Sequence, residues 1–126
     1  MPFDHAQPLR IGMLAGESSG DLLGAGLIRS IKARFPDAVF EGIGGPKMIA
    51  QGCHSLADQE RLAVMGYVEP FKRLPELLRI RKNIREHFLN NPPDVFIGID
   101  SPSFNLSLER RLKSEGIKAV HYVSPQ

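Results

Sequence analysis

Three short loops, each placed after an apolar run of strand length, carry the groups of this sequence that can hold a polar ligand or move a proton: GESSGD (16–21), GGPK (44–47) and DSPSFN (100–105). Asp100 is the sharpest of them. It closes the apolar run DVFIGI, where desolvation would raise a carboxyl pKa and suit the group to general-base work. The same residue could instead cap a helix starting near Phe104, a job Ser101 or Ser103 could also do. Glu17 and Ser18, bracketed by Gly16 and Gly20, could hydrogen-bond sugar or other hydroxyl groups, or form a solvated turn. Asn105 could orient a ligand or bond the local backbone. Lys47 could meet a phosphate, although a lone lysine in a helix's first turn is ordinarily solvent-exposed. His121, between Val120 and Tyr122, reads as a satisfied, half-buried strand residue. His5, His54 and His87 have no metal-ligand spacing, so no bound metal and no cofactor are expected.

The elements that must position these loops follow from the periodicity. Leu9 to Leu14 forms a nearly continuous apolar run, as in a strand buried on both faces of a parallel sheet. Beyond it, Asp21 or Ser19 can cap a helix continued by Leu22, Leu23, Leu27, Ile28 and Ile31, with Gly24 and Gly26 allowing close packing. A helix N-terminus just past a strand's carboxyl end is a place where polar ligands and anions bind. The loop is not a P-loop, because Asp21 rather than Lys follows Gly20, and its glycines do not fall in the G-x-G-x-x-G order.

A second strand is expected over 38–43 and a short helix over 46–51, stopped by Gly52. A short third strand is expected over 53–57, partly helical chain over 58–70 and a helix over 74–88. The last helix carries Leu77, Ile80 or Arg81, Ile84 and Phe88 on one stripe. DVFIGI, a helix over 104–115 closed by Gly116, and a final strand KAVHYV complete the series. Strands alternating with helices imply an α/β fold with a doubly wound parallel sheet, and right-handed crossovers give the strand order 3-2-1-4-5. Residues 1–8 are expected to be a flexible N-terminus and 9–126 one Rossmann-like unit that looks like a piece of something larger.

The chain has 126 residues, 42% of them hydrophobic and 24% charged, an ordinary globular composition large enough for a real core. The single cysteine, Cys53, excludes an internal disulfide and suits a small apolar filler in a reducing compartment. The N-terminal ten residues have no apolar core of signal-peptide length, and no run approaches membrane-spanning length, so a cytoplasmic protein is expected. Net charge is +2, yet residues 69–88 hold six Lys or Arg against three Glu. No nucleic-acid partner is implied. Beside that basic helix lie Val64, Met65, Tyr67, Val68, Phe71, Lys72, Arg73 and Leu74, a composition fit for an anionic lipid surface or for an ordinary helix packing on the sheet.

AGESSGDLLGAGLIRSIK, GIGGPKM, MGYVEP, PDVFIGIDSPSFN and IKAVHYVSPQ resemble, in the same order, the N-terminal region of bacterial lipid-A-disaccharide synthase. The resemblance runs from Leu9 to Gln126. It implies the N-terminal, acceptor-side half of a two-domain GT-B glycosyltransferase. Such an enzyme moves 2,3-diacylglucosamine from its UDP carrier to 2,3-diacylglucosamine 1-phosphate, forming the β-1,6 disaccharide of lipid A and releasing UDP. It further implies a metal-independent enzyme, peripheral on the cytoplasmic face of the inner membrane, whose essential aspartate falls on Asp100. Gly16, Glu17, Ser18, Gly20 and Asn105 would then line the substrate cleft, and residues 64–74 would face membrane and acyl chains. Two departures stand out. Ser103 occupies a position often acidic in that family, and full members are far longer, with most UDP-sugar contacts in a C-terminal domain. The isolated chain is therefore expected to be inactive. A stand-alone flavodoxin-like nucleotide-binding module is the main alternative; a non-catalytic docking partner and a homo-oligomer are left open.

Overall fold

The structure, a computed structural model, describes residues 7–67, 74–100 and 102–122, without the side chains of 64–67, 102 and 103. It begins with β1 (Arg10–Ala15), of which the last five residues are buried. There follow α1 (Ser18–Arg34), β2 (Val39–Ile43), α2 (Pro46–Ala50), β3 (Cys53–Ser55) and α3 (Gln59–Tyr67). Then come α4 (Leu74–Asn90), β4 (Val95–Ile99), α5 (Pro102–Ser114) and β5 (Ala119–Tyr122). The five strands form one parallel sheet in the order β3-β2-β1-β4-β5, the order expected from right-handed crossovers. β1 is central because the chain winds outward from it in both directions, first through β2 and β3 and then through β4 and β5.

Strand alternation divides the core between two faces. Ile11, Met13 and Ala15 of β1 pack with Ala25 and Ile28 of α1 and Met48 of α2. Leu14 points the other way, into a cluster with Leu62 of α3, Ile84 and Phe88 of α4, and Phe104, Leu108 and Leu112 of α5. The stripe expected on α4 thus meets the sheet, with Leu77 and Ile80 packed at its margin. Gly12 makes room for it: a Cβ there would stand 2.9 Å from the Phe88 ring, which in turn meets Phe96 edge-on at 5.5 Å between centroids. Arg81, the other candidate for that stripe, lies over the Phe104 ring at 5.7 Å.

Polar pairs join elements away from the core. Glu41 Oε1 accepts from Arg10 Nη2 at 2.8 Å and lies 3.0 Å from His87 Nε2. Burial pushes the Glu41 carboxyl up, but the hydrogen bond and charge of His87, with those of Arg10, outweigh it and hold the group below the usual range. Cys53 is a buried free thiol, pushed up to about 11 by burial first and then by the Asp21 and Glu41 carboxylates. That agrees with the inert filler expected of it.

One local expectation fails. Neither Asp21 nor Ser19 caps α1: the helix already starts at Ser18, its N-cap is Glu17, and no side chain of its own makes a capping bond. Asp21 lies inside the first turn and serves a different helix, and α1 is closed from another strand.

Candidate functional site

The loops that carry the sequence candidates meet along the carboxyl edge of the sheet. At its centre is Asp100, the residue after β4, whose φ of 55° makes it the one non-glycine at positive φ among the described residues. That left-handed conformation is strained for most side chains and least so for Asp and Asn. It turns the carboxylate toward α1, where Oδ1 accepts from Gly16 N at 2.7 Å and Oδ2 from Glu17 N at 3.1 Å. Asp100 thus closes the start of α1 from 84 residues away. Gly20 permits this approach, because a Cβ there would overlap Asp100 Oδ2. Hydrogen bonds donated to a carboxylate favour its ionised form, the form a base must start from. Asp100 is half-buried, so the desolvation expected from its place at the strand end is only partial.

Asn105 fixes the backbone of the same residue. It is fully buried on the first turns of α5, and its Nδ2 donates to Asp100 O at 2.8 Å and to Leu14 O and Ile99 O at 3.1 Å each. Of its two expected roles the structure shows the one toward the backbone. β1, β4 and α5 are thereby tied together under Asp100, and this holds its conformation in place.

The GESSGD loop supplies two donors to this arrangement and little side chain. Gly16 and Gly20 are buried, Glu17 is half-buried and Ser18 is exposed at the start of α1. Asp21, only 3% exposed, reaches the next βα loop, where its carboxylate accepts from Gly45 N at 3.0 Å, Lys47 N at 3.0 Å and Met48 N at 2.8 Å. Lys47 therefore enters through its backbone, and its side chain is exposed. Gln59 of α3, also buried, donates from Nε2 to Ala15 O at 2.6 Å. Two further residues lie deeper on the β4–β5 side. Glu109 of α5, 4% exposed, stands 2.7 Å from His121 Nδ1 of β5.

Asp21 was expected elsewhere, and Gln59 and Glu109 were not singled out at all. The available signals were the glycines facing them. A Cβ at Gly45 would overlap Gln59 Oε1 and crowd Asp21, and one at Gly98, in the middle of β4, would overlap Glu109 Oε2.

The apolar and basic segment is only partly described. Val68, Phe71, Lys72 and Arg73 lie outside the described residues, as do the side chains of Val64, Met65 and Tyr67. Leu74 and Leu78 on α4 are 43% and 48% exposed, and Arg79 and Lys82 are exposed beside them. Arg61 of α3 pairs with Glu76 of α4, Nη2 to Oε1 at 2.7 Å, and so joins the two helices near that segment. Among the described residues no helix is long and apolar enough to cross a membrane, and no group of His, Cys, Asp and Glu is placed to hold a metal.

A family model described as lipid-A-disaccharide synthetase matches residues 11–126. The chain belongs to the lipid-A-disaccharide synthase family. Its parallel sheet is the Rossmann-like half-domain of that family's GT-B glycosyltransferase architecture. The lipid-A-disaccharide synthase of Aliivibrio fischeri (strain MJ11) is 66% identical over 119 residues, covering 94% of this chain and 31% of that protein. That of Psychromonas ingrahamii is 62% identical over 119 residues with the same shares, and that of Saccharophagus degradans 63% over 116 residues, covering 92% and 30%. The chain thus spans about a third of the length of the curated lipid-A-disaccharide synthases it matches.

Proposed function

We propose that this chain forms the acceptor-side part of an enzyme that transfers 2,3-diacylglucosamine from UDP to 2,3-diacylglucosamine 1-phosphate. Asp100 takes the proton from the acceptor's 6-hydroxyl as that oxygen attacks the anomeric carbon. The bond from the anomeric carbon to the UDP oxygen breaks, and its electron pair leaves with UDP. The observation that carries this reading is a strained, half-buried carboxylate at a strand's carboxyl end, aimed by two N–H groups and held from below by Asn105. Gly16, Glu17, Ser18 and Gly20 border the acceptor. The exposed leucines and basic residues at the start of α4, with the segment before it, rest on the cytoplasmic face of the inner membrane and on acyl chains. The UDP-sugar contacts belong to the remaining two-thirds of the enzyme's length, so the chain alone does not turn over. A stand-alone nucleotide module is disfavoured, because the loop has neither the lysine of a P-loop nor the G-x-G-x-x-G order.

The test uses a protein in which the chain continues to the length of its relatives, supplied with both lipid substrates and assayed for disaccharide by mass spectrometry. Product is expected from the wild type, together with a loss of about 10²-fold or more in Asp100→Ala. Product at the wild-type rate from that variant would remove Asp100 from the chemistry. For the membrane contact, Met65→Glu with Phe71→Glu should weaken flotation with anionic vesicles; unchanged flotation sinks that part.

A further inference from the structure

The Glu109–His121 pair has no part in the proton transfer just described, and it is built as a site. A carboxylate only 4% exposed is tolerated when it is paired, and the ring Nδ1 at 2.7 Å is the partner it has. Apolar residues would fill the same space between α5 and the sheet at no desolvation cost. The backbone makes room for the pair at one point, Gly98 of β4, where any Cβ would overlap Glu109 Oε2. Gly98 is also the register partner of His121 across the β4–β5 ladder, two residues before Asp100. His121 therefore lies on the strand next to the one that leads into Asp100, near the same carboxyl edge, with its side chain 19% exposed. A carboxylate on one side fixes the proton on Nδ1. Nε2 has no hydrogen-bond partner among the described residues. Nε2 accepts in the neutral ring and donates in the protonated one, and in either state it is left to seek a partner.

We propose that His121, held through Nδ1 by Glu109, is a binding residue for a phosphate group at the β4–β5 side of the cleft. This rests on the transfer reading above, in which both substrates carry phosphate. The acceptor's monoester and the donor's diphosphate offer the same oxygen chemistry to a ring nitrogen.

The experiment follows the His121 ring by NMR in this chain during titration with inorganic phosphate, glucosamine 1-phosphate and UDP. One sugar phosphate or nucleotide is expected to move the His121 signals and raise its titration midpoint, and the one acting at lower concentration names the source. His121→Gln should weaken that binding about tenfold, and Glu109→Gln severalfold, with the fold checked by dispersed amide spectra. In the protein continued to the length of its relatives, His121→Gln should raise KM for the same substrate with little change in kcat. His121 signals unmoved by all three probes, or moved by inorganic phosphate alone, overturn the proposal, as does an unchanged KM. The outcomes are separable from those of the transfer reading. A lengthened wild type that binds phosphate through His121 yet forms no disaccharide sinks that reading and leaves this site standing as a phosphate site.

Discussion

Asp21, within α1, and Asp100, after β4, each accept backbone N–H groups at the start of a helix reached across the loop cluster. Asp21 sits in regular helix, 3% exposed, and satisfies three N–H groups around the start of α2. Asp100 sits at φ 55°, half-buried, and satisfies two at the start of α1. The local chemistry is the same, a carboxylate accepting backbone N–H bonds at the positive end of a helix dipole. What separates them is the rest of the environment. Asp21 is enclosed and unstrained, so its bonds serve the fold alone. Asp100 is half-buried and takes a conformation costing about 1–2 kcal/mol for an ordinary residue, which Asn105 and Gly20 hold in place. Exposure and backbone conformation separate the two carboxylates.

The widest predicted separation is between stability and activity at Asp100. Asp100→Gly accepts the positive φ without strain and removes the carboxylate. Relief of strain offsets loss of the cap, so thermal unfolding of this chain should shift by no more than about 1 kcal/mol. Disaccharide formation by the lengthened protein should fall about 10²- to 10⁴-fold. If the variant instead unfolds many degrees early, Asp100 is a second clamp like Asp21 and the contrast fails.

Asp21→Ala should show the opposite pattern. Removing its acceptor orphans N–H groups that are buried or partly so, at a cost of about 3 kcal/mol, or roughly 10 °C in Tm for a domain of this size. Asp21→Asn, which keeps one acceptor oxygen, should recover part of that loss. Thermal unfolding by circular dichroism reads both. A shift below about 1 kcal/mol in Asp21→Ala would mean that α2 finds other partners and that Asp21 is dispensable.

Place in the sheet was legible from the sequence, whereas the bonds that either aspartate makes, 24 to 84 residues away, were not. Asp100 announced itself by place: an apolar five-residue strand ended on it, and in a doubly wound sheet strand ends define the cleft. The strand order followed from crossover handedness, and the α4 stripe from its 3.6-residue period. Asp21 looked like a cap because capping is usually local, yet its acceptors serve donors 24 to 27 residues away. Gln59 and Glu109 lie on amphipathic helices, where polar residues are expected to face water. They are buried because Gly45 and Gly98 leave room opposite them. Those glycines were visible in the sequence, but which side chain each one admits is decided by tertiary packing.

A paired glycine test probes the Asp100 side alone. Gly20 and Gly26 lie on the same helix, and alanine at either gains about 0.5–1 kcal/mol of helix propensity. A Cβ at Gly26 meets nothing within 4 Å, so Gly26→Ala should stabilise the chain by about that amount. At Gly20 the Cβ would overlap Asp100 Oδ2 and stand 2.6 Å from its Cγ. Gly20→Ala should therefore be neutral or destabilising, and should lower activity through the displaced carboxylate. Equal stabilisation by both substitutions would show that the carboxylate swings aside freely and that its orientation is not held.

The smallest effect reads the charge of Asp21 directly. The Cys53 thiol stands at about 11, raised by burial first and by the Asp21 carboxylate next, whereas Asp100 is not among the groups acting on it. Raised Cys53 means the neutral thiol is favoured in the fold, so removing a nearby negative charge must lower its midpoint. Asp21→Asn should bring it down by a fraction of a pH unit, and Asp100→Asn should leave it in place. The measurement is an alkaline titration followed at the Cys53 Cβ by NMR, with near-ultraviolet circular dichroism confirming that the chain stays folded. A midpoint unmoved by Asp21→Asn would mean that its three N–H partners already neutralise the Asp21 charge. The two aspartates would then differ in exposure and strain but not in the field they project into the core.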